Sequence, residues 1–419
     1  MISEDGSSFL STFWGALQGT ISVLLTVFAG YIFAKHGRLD DRTVRSVSKL
    51  CTNLFLPLLI IEEMGPELTA SKIARLWIIP LWGIVSTLIA HGIGWAGKAA
   101  LHLPYWTIVA AGRPNATALP LLLLQSLSSA GVLNSLAPGE SASTILRRAR
   151  AIILLNVVVQ QTFTFQTAPA ILKCDDGHKD LEGGNNLHPG PGHTGPIVQD
   201  AEHVGLLRDH DGMEDGEDSD YREVLNPIEG TPDLRWPSFF ALLEKPIKIV
   251  YSYMSPPLIG AIIALFFGMI PALNNAFFSK DSALYTSVTQ TIENLGELFV
   301  SLQAFTVGAE LANVPSMHPG TVPICFVLLI RFIIMPALSL LFVWLTAGRG
   351  IYVDDPLVWF ILILIPAGPS AMLLVNVAEL VKVDVGPIVG YLTIAYMASP
   401  LLAGVCSLGL KVIERIQGR

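Results

Sequence analysis

The chain has 419 residues, of which 52% are hydrophobic and only 14% are charged, and its mean hydropathy is +0.55. This excludes an ordinary soluble domain, in which charged residues are about a quarter of the total. The formal net charge of -8 is local: residues 173–245 hold 17 Asp and Glu against 6 Lys and Arg, so the remainder of the chain carries +3.

Ten apolar stretches recur, each near the length of about 20 residues that crosses a bilayer core of about 30 Å. They are expected as helices over 13–34, 46–63, 74–97, 105–130, 148–171, 250–273, 284–309, 321–346, 357–380 and 388–410. The lipid bilayer is thus the expected surroundings. Glu4 and Asp5 precede the first span, and no basic region stands there. A cleaved signal peptide is therefore not expected, and the first span serves as the insertion signal. Lys35, Arg38, Arg42 and Arg45 follow that span. The positive-inside bias then puts the N-terminus outside or lumenal and residues 173–245 in the cytosol. Arg147, Arg148 and Arg150 oppose this orientation. The second span carries Asn53 one helical turn before Pro57, where it lines a cavity or bonds a neighbouring helix.

The fourth span is interrupted by Arg113-Pro114-Asn115-Ala116-Thr117-Ala118-Leu119-Pro120. The ninth is interrupted by Pro366-Ala367-Gly368-Pro369-Ser370-Ala371. Proline lacks a backbone donor and clashes with the preceding turn, so each span should be two half-helices with unwound backbone between them. Irregular backbone at membrane depth is tolerated only against protein or a water-lined cavity. A pair of such breaks at matching places points to a transporter's binding site. The blander alternative is a pair of kinked helices. Half-helix N-termini attract anions. The candidate substrate contacts are Arg113, Pro114, Asn115, Thr117 and Pro120, then Pro366, Pro369 and Ser370, with Asn53 and Asn376 beside them.

The 173–245 segment is rich in Gly, Pro, Asp, Glu and His and is expected to be a disordered cytosolic loop. Its five histidines, His188 and His193 among them, lack tight metal-ligand spacing. Arg331, some ten residues into the eighth span, is an intramembrane charge and hence a functional candidate. It is expected to pair with Glu293 or Glu297 of the seventh span, or to balance an anionic substrate. Cys51, Cys174, Cys325 and Cys406 include no CxxC pair and read as small hydrophobes.

The loop separates 1–172 from 246–419, and both blocks carry the same features in the same order. Gly65-Pro66-Glu67-Leu68 matches Gly308-Ala309-Glu310-Leu311, and Arg75-x4-Pro80 matches Arg331-x4-Pro336. A broken span and an unbroken span follow in each. This order indicates duplication. Five crossings per copy invert the second copy, giving an all-α membrane fold with a 5+5 inverted repeat.

These pieces, with Asn53-Leu54-Phe55-Leu56-Pro57, resemble the auxin efflux carrier family of PIN-FORMED and PIN-LIKES membrane transport proteins and their fungal relatives. The resemblance covers both blocks but not the loop. It implies ten helices with crossed breaks in helices 4 and 9, alternating access of an elevator kind and a homodimer. It also implies a scaffold of helices 1, 2, 6 and 7. Its substrate would be a small organic anion such as an indole acetate, and the PIN-LIKES branch favours the endoplasmic reticulum over the plasma membrane. Arg113 departs from the small residues usual at this break. Two other readings stand beside it. One is an ion-coupled sodium or proton symporter or antiporter of related crossover fold. The other is a receptor or scaffold acting through the loop. No phosphate loop, Gly-x-Ser-x-Gly or His-x-x-x-His pair is present, so no enzyme activity and no cofactor is expected. No basic patch with aromatics suggests nucleic acid.

Overall fold

A computed structural model describes residues 2–67, 69–174 and 254–418. Most of the acidic loop, including His188 and His193, lies outside them. The regular elements among the described residues are all helices, with no strand. In chain order, the first block contains α1 (Ile2–Lys35), α2 (Asp41–Met64) and α3 (Ile78–Leu101). It continues with the short α4 (Trp106–Gly112), α5 (Ala118–Ser129) and α6 (Ala142–Lys173). The second block contains α7 (Pro256–Met269), α8 (Pro271–Phe278), α9 (Tyr285–Asn313) and α10 (Thr321–Thr346). Then come α11 (Pro356–Leu364), α12 (Leu373–Leu380), α13 (Gly386–Met397) and α14 (Leu402–Gln417).

Local signals set several of these ends. Ser141 caps α6 by accepting the Thr144 N–H (3.3 Å), and Asp355 caps α11 by accepting the Leu357 N–H (2.9 Å). Prolines 256, 271 and 356 occupy first helical positions, where no N–H is needed. Pro57 and Pro336 act differently, because each withholds a donor inside a continuous helix. Just before each, the helix widens into a π turn, over Cys51–Phe55 and Ile330–Ile334. Such turns re-satisfy the freed carbonyls by longer bonds and are frequent at functional sites.

Helix occupies each of the ten expected spans, but the lengths differ. Among the described residues, five single helices are long and apolar enough to cross a membrane, and two bent pairs bring the number to seven. The sixth expected span is one bent pair: the chain turns by 106° between α7 and α8, where Pro271 restarts the helix. α13 and the segment after it bend by 43°. The Arg-x4-Pro match is also not equivalent in depth. Arg75 is exposed at the end of the short Ala70–Arg75 helix, before α3 begins. Arg331 is fully buried inside α10. All four cysteines are free, with Cys51 and Cys406 buried and Cys174 and Cys325 exposed.

The helices sort by contact. α1 packs along α9, and α2 packs against α7 and α9. α3 packs on α4 and α6, while α11 packs on α10 and α14. The α1–α9 contact is the most extensive, and small residues permit it. A Cβ at Gly308 would stand 1.8 Å from the Val27 carbonyl oxygen, and one at Gly30 would stand 1.9 Å from that of Phe305. Two helix backbones approach this closely only where no side chain intervenes. The three arginines that open α6 are all paired. Arg150 bonds the buried Glu63 (2.9 Å), Arg147 bonds Glu67 (3.3 Å), and Arg148 bonds Glu140 and Asp355.

Gly308→Val should therefore force α1 and α9 apart. The expected result is loss of most monodisperse protein in size-exclusion chromatography. Gly92→Ala, where nothing lies within 4 Å of the added Cβ, should elute like the parent.

Candidate functional site

Each broken span has two helical halves, as its prolines require. The first break runs over 113–117, between α4 and α5. The second runs over 365–372, between α11 and α12. Pro120 lies just past the first break, in the opening turn of α5, where its missing N–H has no intrahelical acceptor to serve.

The two breaks cross and pair by their backbones. The Asn115 N–H donates to the Pro369 carbonyl (2.8 Å), and the Ala371 N–H donates to the Arg113 carbonyl (3.1 Å). Together they form one antiparallel bridge between Pro114 and Ser370. This answers the demand that buried backbone groups be partnered. Pro114, Pro366 and Pro369 reduce that demand, having no N–H of their own. Gly368 turns the second break with φ 96°, a conformation that strains any residue with a Cβ.

α4 and α11 both end at the crossover, so their free carbonyls and negative dipole ends collect there. Arg331 meets them. Its Nε donates to the Gly368 carbonyl (2.9 Å) and its Nη1 to the Ala111 carbonyl (3.4 Å). Ser370 Oγ donates to the Ala110 carbonyl (2.6 Å) and shares a hydrogen bond with the Tyr391 hydroxyl (2.7 Å). Two expectations are corrected here. Arg331 pairs with neither Glu293 nor Glu297, because the crossover carbonyls already engage it. Those two glutamates gather instead with Glu62, carboxylate oxygens within 4.8 Å of one another. Ser370 is fully buried in the clamp.

α5 and α12 start at the same place, and their positive N-terminal ends face a cavity. The cavity leaves about 60 Å³ for the centre of a water-sized sphere, room for a few waters at roughly 10–15 Å³ each. Arg113, Asn115, Thr117 and Asn376 line it, as the sequence reading placed them near the site. Pro114, Pro366, Pro369 and Ser370 stay behind its wall. Asn53 does not reach it. Within the π turn of α2 it is exposed on the outer face, and its neighbour Thr52 lines the cavity instead. Asn115 is held in place: its Nδ2 donates to the Tyr396 hydroxyl (2.8 Å), and its Oδ1 accepts the Thr117 N–H (3.2 Å).

Six polar wall residues were not singled out from sequence as binding groups: Ser48 and Thr52 of α2, Gln161 of α6, Gln303 and Glu310 of α9, and Tyr396 of α13. The adjacent Gln160-Gln161 in an apolar span was the available signal. Glu310, met in the sequence only as part of the Gly308-Ala309-Glu310-Leu311 match, is buried. Several polar atoms on this wall have no hydrogen-bond partner: Nε and Nη1 of Arg113, Oε1 of Gln161, Oε1 of Gln303 and Oε2 of Glu310. Buried polar groups are nearly always satisfied, so such a concentration marks a place built to hold polar matter.

Arg331→Ala would strand two buried carbonyls, at about 1–3 kcal/mol each. Its melting temperature and monodisperse yield in detergent should both fall well below the parent's. Arg331→Lys keeps the charge but has one nitrogen for two carbonyls, so partial recovery is expected.

Residues 16–403 match the family described as membrane transport protein. An uncharacterized transporter of Schizosaccharomyces pombe is 22% identical over 402 residues, covering 87% of this chain and 87% of its own. Protein PIN-LIKES 6 of Arabidopsis thaliana is 24% identical over 402 residues, covering 90% and 88%. An uncharacterized transporter of Saccharomyces cerevisiae is 22% identical over 396 residues, covering 89% of each.

Proposed function

The chain belongs to the membrane transport protein family, and we propose that it carries a small organic anion, an auxin-like carboxylate, across a membrane by alternating access. One observation supports this reading above the rest. The N-terminal ends of α5 and α12 and the unpartnered guanidinium of Arg113 line one cavity beside the crossover. Helix N-termini and a guanidinium recognise the same chemistry, a carboxylate. Asn115, Thr117 and Asn376 add neutral polar contacts on the same wall.

The packing supports a moving part. α1 packs on α9, and α2 packs on α7 and α9, while α3 to α6 with α10 to α14 gather around the crossover; α1 also packs on α5 and α14 and so bridges the two groups. The pairing is reciprocal between the blocks: α1 lies on α9 as α7 lies on α2. That supports the proposed ten-span inverted repeat with a scaffold and a transport domain. The Arg45–Glu379 ion pair (3.3 Å) joins α2 to α12 across the two groups. A homodimer seated on the scaffold, residence in the endoplasmic reticulum and a cytosolic 173–245 loop belong to the same proposal.

Proteoliposomes holding the purified chain should take up labelled indole-3-acetate faster than protein-free vesicles. Arg113→Gln should weaken carboxylate binding roughly tenfold to hundredfold, the worth of a hydrogen bond to a charged group at about 1.5–3 kcal/mol. Its melting temperature should stay near the parent's, since Arg113 supports no other group. Uptake at the protein-free rate would overturn the reading.

A further inference from the structure

The cavity is not uniformly positive. Arg113 is 3% exposed and Glu310 is 8% exposed, and both line it. Among the described residues neither forms an ion pair. Nε and Nη1 of Arg113 are donors without acceptors, and Oε2 of Glu310 is an acceptor without a donor. Arg45, whose field reaches Glu310, is already bonded to Asp41 (2.8 Å) and Glu379 (3.3 Å). Gln303 stands seven residues before Glu310 on α9, two helical turns away and on the same face. Its Oε1 also has no donor. One side of the cavity therefore offers donors and positive helix ends, while α9 offers acceptors and a carboxylate.

A simple anion satisfies only half of this wall. It would meet Arg113 and the starts of α5 and α12, but it would leave the Glu310 carboxylate, hydrogen-bonded among the described residues by Ser48 alone, repelling it in a low-dielectric space. An isolated charge in such surroundings is costly unless paired. A ligand with a charge of each sign satisfies both sides at once.

We infer that the cavity takes a dipolar amino-carboxylate, its carboxylate at Arg113 and the N-terminal half-helix ends and its ammonium at Glu310 and Gln303. This rests on the reading of the cavity as the carboxylate transport site and narrows the class of carboxylate. Glu310 is a specificity residue here: it selects among carboxylates by what else they bear.

The test compares pairs of probes that differ in the ammonium alone, binding to the purified full-length chain. One pair is 4-aminobutyrate and butyrate; the other is L-tryptophan and indole-3-propionate. In at least one pair the amino member should bind tenfold or more tightly. Glu310→Gln should abolish that preference while leaving the des-amino acid bound as well as before or better. Arg113→Gln should weaken both members alike. Gln303→Glu, which adds a second negative charge on the same face, should widen the preference. It also serves as the decisive variant if Glu310→Gln fails to purify. Equal binding within both pairs overturns the inference, as does a preference that survives Glu310→Gln or is unmoved by Gln303→Glu. Each of these results leaves the carboxylate carrier standing. Failure of all four probes, with Arg113-dependent uptake of indole-3-acetate intact, also overturns the inference alone. Loss of that uptake as well overturns both readings.

Discussion

Everything at the centre of this molecule depends on how two stretches of unwound backbone are kept partnered in a low-dielectric interior. The chain has only two inter-break hydrogen bonds there, Asn115 N–H to the Pro369 carbonyl and Ala371 N–H to the Arg113 carbonyl. The prolines remove donors that would otherwise need acceptors. The carbonyls at the ends of α4 and α11 still need donors. Arg331 and Ser370 supply the missing donors. A neutral donor suffices for one carbonyl, as Ser370 shows. Two carbonyls at the negative ends of two helices favour a cation with several N–H groups, and the guanidinium has five.

That arrangement divides the crossover by polarity. The C-terminal ends of α4 and α11 are neutralised internally. The N-terminal ends of α5 and α12 are left facing the cavity. Helix dipoles that would partly cancel if both ends were open instead give a net positive field on one side. Arg113 adds to that field from the first break. The two arginines therefore have separate tasks, although both are buried and both touch the breaks. Arg331 is bonded to protein through Nε and Nη1, with Nη2 unpartnered among the described residues, and holds geometry. Arg113 has donors to spare and faces open space.

Much of this was legible in the sequence, and the reasons are specific. Pro114, Pro366 and Pro369 announced the breaks because proline's effect on a helix is local and does not wait for tertiary context. Their matching order in the two halves indicated duplication, and the family resemblance implied that they cross. Arg331 was recognisable as functional by its depth, but its partner was not. A carboxylate is the obvious partner for a buried guanidinium, yet backbone carbonyls released by distant prolines serve as well, and no spacing rule reveals that. Asn53 misled for a local reason: the π turn that Pro57 induces brings Thr52 to the cavity and leaves Asn53 on the outer face. Arg75 misled because a short Arg-x4-Pro motif recurs without sharing depth. No motif set Gln303 apart, and Glu310 entered only as part of the Gly-x-Glu-Leu match between the two blocks.

Stability and recognition are in tension on the cavity wall. A chain optimised for stability alone would pair Arg113 with Glu310 directly or replace both with apolar side chains, since buried ion pairs are often no better than hydrophobic residues of similar volume. Neither has happened: opposite charges line one small space and do not bond each other. Neighbouring structure makes this sustainable. The Arg113 backbone carbonyl is fixed by Ala371, Asn115 is locked by Tyr396 and Thr117, and Glu310 sits on the helix that packs most closely against α1. Rigid backbone holds the charges apart, so their unmet hydrogen bonds remain available to whatever enters. The close Gly30 and Gly308 crossing, beside Val307 and Glu310 of the cavity wall, is part of what lets the site stay unsatisfied.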